Sequence, residues 1–206
     1  MQLVIGNKNY SSWSLRPWLA MKMLDIAFDE IPIPLYAPGA KARILEHSPA
    51  GKVPILKDGA LVVWDSLAIL EYLAERYPRL WPADPSERAK ARSISAEMHS
   101  GFAQLRAHMS MNVRKRYPGK GRTAEVEQDI GRVSEIWAAA KGPFLFGEFS
   151  AADAMYAPVV LRFRTYAVEG PNQRYMDAML ALPAMRDWIE AAEREPESIA
   201  ELDLYG

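Results

Sequence analysis

The sequence contains no cysteine among its 206 residues. A chain without cysteine has no disulfide, no thiolate metal ligand and no thiol nucleophile of its own, and this composition is compatible with a reducing compartment. Any thiol chemistry that the protein performs must therefore use a thiol supplied by another molecule.

Long apolar runs and an excess of charge of one sign are also missing. No run approaches the ~18 apolar residues of a membrane-spanning helix, and no basic-then-apolar leader with a small-residue cleavage site opens the chain. We therefore expect a cytoplasmic protein without a membrane partner. Because 25 basic side chains balance 26 acidic ones, no sequence-wide field attracts nucleic acid, and we expect no nucleic-acid partner either.

Histidine is scarce as well. The chain has His47, His99 and His108, and their spacing relative to carboxylates matches no metal-ligand pattern. We therefore expect no metal site.

The order of apolar patterns predicts two domains. Up to Tyr77, short β-like runs alternate with helical ones, which is typical of an α/β sheet layer covered by helices. The proline-rich stretch PRLWPADPSE then interrupts the pattern, and the rest is helical in period. We predict an α/β domain at residues 1–78, a linker at 79–85 and an all-α domain at 86–206.

Two predictions concern the second domain. An apolar stripe of Ile94, Met98, Leu105 and Met109 predicts one long helix over residues 86–117. The acidic segment that begins at Glu193 has few large apolar residues, and we expect a solvated end there.

A serine-rich turn follows the first predicted strand. The segment NYSSWSLRPWLA, from Asn9 to Ala20, places Ser11, Ser12 and Ser14 at the start of a helix. Free backbone N–H groups and hydroxyls there suit a small anion. The simpler alternative is that these serines only cap the helix.

Two further segments complete the pattern. In GKVPIL, Pro54 directly follows Val53 inside a strand-like run, which predicts an edge or a special turn, with a cis peptide bond as one form of it. In WDSLAILEYL, Asp65 and Ser66 begin an apolar helical run, and this second helix N-terminus can hold a carboxylate or serve only as a cap.

Together the three segments suit a small acidic thiol compound such as a tripeptide. Its extended backbone can pair with Val53, while Ser66 and the amides of its helix receive one carboxylate. Asp65 can accept from an amino group and Lys52 can face a second carboxylate. The sulfur then lies near the serine turn, where a hydroxyl donor and a helix N-terminus favour the thiolate over a thiol of pKa ~8.5.

The sequence resembles the cytosolic glutathione S-transferase superfamily, serine type, on these segments and on a capping box, Ser150 to Asp153. The resemblance implies a thioredoxin-like first domain, an all-α second domain, glutathione as co-substrate and a homodimer. It also implies that Ser11 stabilises the thiolate, with Ser12 as the alternative donor. Glutathione contacts are expected from Trp13, Lys52, Val53, Pro54, Asp65 and Ser66.

Within that superfamily, SSWSLRPWLAM is similar to the SSCSWRVRIAL-like segment of the zeta class, which includes maleylacetoacetate isomerases. Trp13 stands where the class has a cysteine that assists isomerisation, which argues against isomerase activity. The arginine that is thought to hold the substrate carboxylate in that class would fall at Thr165, with Arg162 and Arg164 close by.

A mixed face on the predicted long helix suggests an electrophile pocket. His99, Phe102, Arg106 and Met109 are its expected members, although histidine and methionine are more often packing residues. We expect a glutathione transferase that attacks a small electrophile or peroxide. The alternatives are a zeta-type cis-trans isomerase and a non-catalytic binding or stress-regulatory protein of the same fold.

Overall fold

The computed structural model describes residues 1–170 and 173–206. Its first part is one mixed sheet built from β1 (Gln2–Ile5), β2 (Asp29–Pro32), β3 (Ile55–Asp58) and β4 (Leu61–Trp64). The strand order is β2-β1-β3-β4, with β1 parallel to β2 and antiparallel to β3.

Three helices cover the sheet: α1 (Ser12–Met23), α2 (Ala40–Leu45) and α3 (Ser66–Arg76). The alternation along β1 explains their placement, because Leu3 and Ile5 join the main core cluster while Val4 packs with Ile44 of α2 on the other face. Both faces of β1 are therefore apolar and covered, as the α/β interpretation requires.

The second part is helical. After a 3₁₀ helix at Pro78–Leu80 come α4 (Pro85–Ser100), α5 (Ala103–His108), α6 (Ala124–Ala138), α7 (Ala151–Tyr166), α8 (Gln173–Ala181) and α9 (Pro183–Arg194). This order confirms the predicted class, an α/β part followed by an all-α part, and we propose residues 79–85 as the domain boundary.

Helix α7 is the centre of the second part and begins at the predicted capping box. Of its residues only Arg164 is partly exposed. The Asp153 carboxylate accepts from the Ser150 backbone N–H at 2.8 Å and from its hydroxyl at 2.9 Å. It also accepts from the Leu145 N–H at 3.0 Å. The bond from the Ser150 N–H is the capping-box contact at the start of α7, and the bond from Leu145 holds the preceding segment against the helix.

The prediction of one long helix over residues 86–117 is wrong. Helix α4 ends at Gly101, where a Cβ would lie 2.8 Å from the Glu97 carbonyl oxygen, and Phe102 follows with φ of +58°. The Arg106 guanidinium reaches back to the carbonyl oxygens of Met98 and His99, which the end of the helix leaves free. The apolar stripe continues across the break, but the helix does not.

The prediction of a solvated end from Glu193 is wrong in part, because most of residues 193–206 are exposed but the segment is bound to the sheet part. The Glu195 carboxylate accepts from the backbone N–H groups of Lys8 and Asn9, at 2.5 and 2.9 Å, and Ile199 is buried. The segment therefore packs on the turn at residues 7–10, and Glu195, Glu197 and Asp203 serve as acceptors for that turn.

Helix α1 packs on α7, and α3 packs on α4, so the two parts meet along a continuous interface. The Arg92 guanidinium on α4 forms two hydrogen bonds of 3.0 Å with the Glu71 carboxylate on α3. None of the helices in the part of the chain that the structure describes is long and apolar enough to cross a membrane.

Candidate active site

Two adjoining clefts open where the sheet part meets the helical part. The first, of about 600 Å³, extends between the Val53–Pro54 peptide and the start of α3. The second, of about 430 Å³, lies over the serine turn. Trp13, Lys52 and Val53 line both clefts, so a molecule in the first cleft can reach into the second.

Ser11 caps α1 and lies on the wall of the second cleft. Its hydroxyl donates to the Ser14 hydroxyl at 2.8 Å and accepts from the Ser14 N–H at 3.4 Å. The Ser14 hydroxyl also accepts from the backbone N–H of Gly6 at 3.1 Å, at the end of β1. Strand, turn and helix are thus joined by one chain of hydrogen bonds that ends at the Ser11 oxygen.

Ser12 has a different environment. Its oxygen accepts from the Arg162 guanidinium at 3.4 Å, and Arg162 also donates to the Met109 carbonyl at 2.8 Å. Burial, together with the charge of Arg106, lowers the pKa of Arg162 to about 10. The Ser12 oxygen therefore faces a buried cation, whereas the Ser11 oxygen faces another hydroxyl.

The Val53–Pro54 peptide bond is cis, as the sequence suggests. Within the described residues, no backbone hydrogen bond occupies the N–H or the C=O of Val53. Lys52 is exposed beside it. This stretch can pair with an extended peptide and place a positive charge next to it.

Asp65 caps the N-terminus of α3 on the far side of the first cleft. One carboxylate oxygen accepts from the N–H groups of Leu67 and Ala68, at 2.9 and 3.2 Å. The other lies 3.2 Å from His99 Nε2, and the side chain is 43% exposed. Its backbone φ is +74°, an unusual value for a residue other than glycine. Ser66 next to it is buried, and its hydroxyl accepts from Arg16 at 3.4 Å.

Trp13 separates two guanidinium groups. The Arg16 guanidinium carbon lies 4.2 Å from the centroid of its ring and that of Arg106 lies 5.2 Å away, while the His99 ring meets its edge at 5.4 Å. Such contacts stabilise a cation that has lost part of its hydration. Trp13 thereby links the residues that hold Ser66 to the residues that face the second cleft.

Arg16, Arg106 and Arg162 form a cluster of like charges. Burial lowers the pKa of each, and the charges of Arg106 and Arg162 lower that of Arg16 further. In the described part of the chain, Arg16 Nε has no hydrogen-bond partner. Since Arg106 and Arg162 line the second cleft, an anion bound there gains electrostatic stabilisation.

The structure brings most of the predicted site residues together. The second cleft adds Ser11, Ser12 and Arg106 to the seven predicted residues that line the first, which are Trp13, Lys52, Val53, Pro54, Asp65, Ser66 and His99. Phe102 and Met109 are buried in the core cluster and line neither cleft, so their role in an electrophile pocket stays a prediction.

Sequence reasoning missed several wall residues of the second cleft, among them Ser110, Arg162 and Leu202. Arg162 lies one helical turn before Thr165, and only its proximity to that position pointed to it. Ser110 and Leu202 belong to irregular segments without a local signal. Among the described residues, no group of three His, Asp or Glu side chains is placed to hold a metal ion.

Comparison with protein families gives two matches. The model of the glutathione S-transferase N-terminal domain matches residues 10–76, and the model of the glutathione S-transferase C-terminal domain matches residues 91–191.

Individual relatives extend the comparison. The maleylacetoacetate isomerase of Rattus norvegicus is 32% identical over 205 residues, which cover 93% of this chain and 92% of the relative. The stringent starvation protein A homolog of Haemophilus ducreyi is 28% identical over 147 residues, or 69% of this chain and 68% of the relative. A solved glutathione transferase homolog from Burkholderia gl BGR1, with bound glutathione, has the same fold, with a TM-score of 0.69, 24% identity and coverage of 93% and 96%.

Proposed function

The chain belongs to the glutathione S-transferase family, and from this membership we propose that the Ser11 hydroxyl activates glutathione for attack on an electrophile. Enzymes of this family use glutathione as co-substrate, which supplies the thiol that a chain without cysteine lacks. The observation that carries the proposal is the position of the serine turn at the junction of the two clefts.

Glutathione in this proposal occupies the first cleft. Its extended backbone pairs with Val53, and a carboxylate lies against Ser66 and the N-terminus of α3, where the helix dipole favours negative charge. Its amino group faces the oxygen of Asp65 that points to His99, and Lys52 faces the other carboxylate. The sulfur then reaches the serine turn.

Ser11 acts by donating a hydrogen bond to the thiolate. In the structure its hydroxyl donates to Ser14. When the thiolate arrives, both hydroxyls rotate, so that Ser14 donates to Ser11 and Ser11 donates to sulfur. The thiol proton passes to solvent. The sulfur then forms a bond to the electrophilic carbon while the leaving group departs with its electron pair. With a peroxide, the sulfur bonds to one oxygen while the O–O bond breaks and the alkoxide leaves and takes a proton from solvent, and a second glutathione converts the resulting sulfenic acid to the disulfide and water.

Arg106 and Arg162 support an electrophile that carries a carboxylate. Burial lowers the pKa of Arg106 by more than the charge of the Asp129 carboxylate raises it. Arg106 and Arg162 both line the second cleft. This observation favours a second candidate function, the glutathione-dependent cis-trans isomerisation of an acidic enone, which also fits the relative named as a maleylacetoacetate isomerase. Trp13 argues against it. Turnover of a cis-enone diacid without net loss of glutathione distinguishes isomerisation from transfer.

A non-catalytic role is the remaining alternative, and the relative named as a stringent starvation protein A homolog fits it. The presence of the serines, Val53 and the Asp65–Ser66 pair at the clefts favours an enzyme. We further propose that the protein is cytoplasmic and that it forms a homodimer. Sedimentation equilibrium tests the homodimer.

A titration of bound glutathione tests the mechanism. The ultraviolet absorbance of the thiolate is followed against pH for the wild type, Ser11→Ala and Ser12→Ala, with the exposed Ser93→Ala on α4 as the matched control. We expect the thiol pKa to lie well below ~8.5 in the wild type and to rise by about one to two units in Ser11→Ala alone.

Other outcomes separate the alternatives. If the thiol pKa rises in Ser12→Ala alone, the mechanism stands, and the donor is the Ser12 hydroxyl, which faces Arg162. If wild-type protein binds glutathione but holds no thiolate near neutral pH, the catalytic proposal fails and the non-catalytic alternative gains support.

A further inference from the structure

Residues 195–206, which we call the strap, lie across the turn that precedes the catalytic serines. The Arg114 guanidinium donates to the carbonyl oxygens of Glu195 and Glu197, and the Ile199 N–H donates to the Tyr10 hydroxyl at 3.1 Å. Ile199 is 3% exposed. Together with the two backbone bonds to Glu195, these contacts give the strap a defined position.

Asp203 connects the strap to both sides of the second cleft by hydrogen bonds. One of its carboxylate oxygens accepts from the Tyr10 hydroxyl at 2.9 Å and from the Asn112 side-chain amide at 2.6 Å. Tyr10 directly precedes Ser11, and Asn112 directly follows Met111 of the cleft wall. Any displacement of Asp203 therefore disturbs both sides at once.

Leu202 is held next to Asp203. The Ser110 hydroxyl donates to the Leu202 carbonyl oxygen at 2.7 Å, and Leu202 lines the second cleft with Ser11, Ser12 and Met111. The next leucine in the chain, Leu204, is 39% exposed and lines neither cleft. Leu202 is thus an apolar side chain that the strap brings to the site from outside the helices.

We propose that Leu202 determines specificity for the apolar body of the electrophile, and that Asp203 is the positioning residue that holds it there. This inference rests on the proposed function, since it assigns the second cleft to the electrophile. Contact with Leu202 removes apolar surface from water and favours substrates with an aliphatic or aromatic body beside the sulfur.

Binding of S-substituted glutathiones tests the assignment without turnover. The dissociation constants of glutathione, S-methylglutathione and S-hexylglutathione are measured by calorimetry for the wild type, Leu202→Ala and the matched control Leu204→Ala. We expect S-hexylglutathione to bind about 5- to 10-fold more weakly to Leu202→Ala, because its chain loses an apolar contact. The other two ligands stay within about twofold in both variants, and all three do so in Leu204→Ala.

The role of Asp203 is tested through Leu202. We expect Asp203→Ala to weaken S-hexylglutathione about as much as Leu202→Ala does, and the double variant to be no weaker than either single one, because the two changes remove one interaction. Asp203→Asn keeps an acceptor oxygen and should retain most of the affinity. Thermal unfolding shows whether each variant is folded.

Two results overturn the assignment. If S-hexylglutathione binds equally well to the wild type and to Leu202→Ala, Leu202 does not contact the substituent, and the assignment fails while the proposed function stands. If the wild type binds none of the three ligands, the proposed function fails and the assignment fails with it. Additive losses in the double variant overturn the positioning role of Asp203 alone.

Discussion

Two carboxylates at helix N-termini, Asp65 on α3 and Asp153 on α7, are used in opposite ways. Asp153 is fully buried, and its oxygens accept from Ser150 and Leu145. Asp65 gives one oxygen to the amides of its own helix and directs the other towards His99 at the rim of the first cleft. The oxygens of the first carboxylate are held inside the fold, whereas the second carboxylate has one oxygen at the rim of the first cleft, beside His99.

The energetic difference between the two is as clear as the geometric one. Burial raises the pKa of Asp153 to about 6, so the fold holds a carboxylate whose charge it disfavours. Asp65 is partly exposed but has a φ of +74°, and such backbone strain tends to occur at functional sites. A carboxylate at a helix N-terminus is therefore a site candidate only when one of its oxygens faces a cleft.

The largest expected effect is on stability at Asp153. Its pKa is higher in the folded chain than the 3.8 of an unperturbed aspartate, so its contribution is complete below that value and is lost as the pH rises through about 6. A change of this size corresponds to about 3 kcal/mol. We expect the free energy of unfolding of Asp153→Asn, relative to wild type, to increase by about that amount between pH 4 and pH 7.

Urea unfolding of both proteins across this pH range is the measurement. Other carboxylates titrate in both chains, so the difference between the two curves isolates Asp153. Parallel curves would show that the fold holds the charged carboxylate without penalty, and the contrast with Asp65 would lose its energetic basis.

The second largest effect is on binding at Asp65. Asparagine caps a helix as well as aspartate does and tolerates a positive φ, so Asp65→Asn removes the charge while the start of α3 is kept. We expect the dissociation constant of glutathione to rise about 10- to 100-fold, the range for a lost hydrogen bond between charged groups. Calorimetric titration measures it.

N-acetylglutathione supplies the control, because it lacks the charged amino group. Wild type should prefer glutathione to the acetylated form, and Asp65→Asn should show little preference. If the preference survives the substitution, the amino group binds elsewhere and Asp65 is only a cap, like Asp153.

Sequence reasoning succeeded where the signal is local. Capping residues and a proline after Val53 are determined by a few neighbours, so the serine turn, the cis peptide and both helix N-termini could be predicted. Which of the two carboxylates faces a cleft depends on how the helical part packs against the sheet, and the sequence alone left Asp65 between a cap and a site.

Sequence reasoning failed where an apolar pattern continues past the end of a helix and where residues far apart in sequence form hydrogen bonds. The stripe through Met98 and Met109 continues across Gly101, so helical spacing predicted one helix although α4 ends at Ser100 and α5 begins at Ala103. The acidic residues after Glu193 were interpreted as solvated because their partners lie far away in sequence. Glu195 bonds to Lys8 and Asn9, and Asp203 to Tyr10, which no local pattern reveals.

Ser14 is the intermediate case, a buried side chain at a helix N-terminus that contacts the candidate catalytic residue. Ser14→Ala leaves the Gly6 N–H without its acceptor and removes the partner of Ser11. We expect a loss of about 1 to 2 kcal/mol in the free energy of unfolding and a rise of less than about one unit in the pKa of bound glutathione. Denaturation and the thiolate titration measure the two. If Ser14→Ala lowers the stability but leaves the thiol pKa unchanged, Ser14 stabilises the fold and, like Asp153, has no part in the chemistry.

The smallest effect is expected at Asp84, a third carboxylate at a helix N-terminus that is exposed and remote from both clefts. It accepts from the Ser86 hydroxyl at 2.6 Å and from the Glu87 N–H at 2.9 Å, and these bonds lower its pKa below 3.8. Its contribution is therefore present at neutral pH and lost as the pH falls below that value, the reverse of Asp153. We expect Asp84→Asn to leave glutathione affinity unchanged within about twofold. We expect its free energy of unfolding to be lower than that of the wild type at neutral pH, and this difference to become smaller as the pH falls below 3.8. A change in glutathione affinity would mean that the start of α4 is coupled to the first cleft. The position of a carboxylate oxygen in a cleft would then no longer distinguish Asp65 from Asp84 and Asp153.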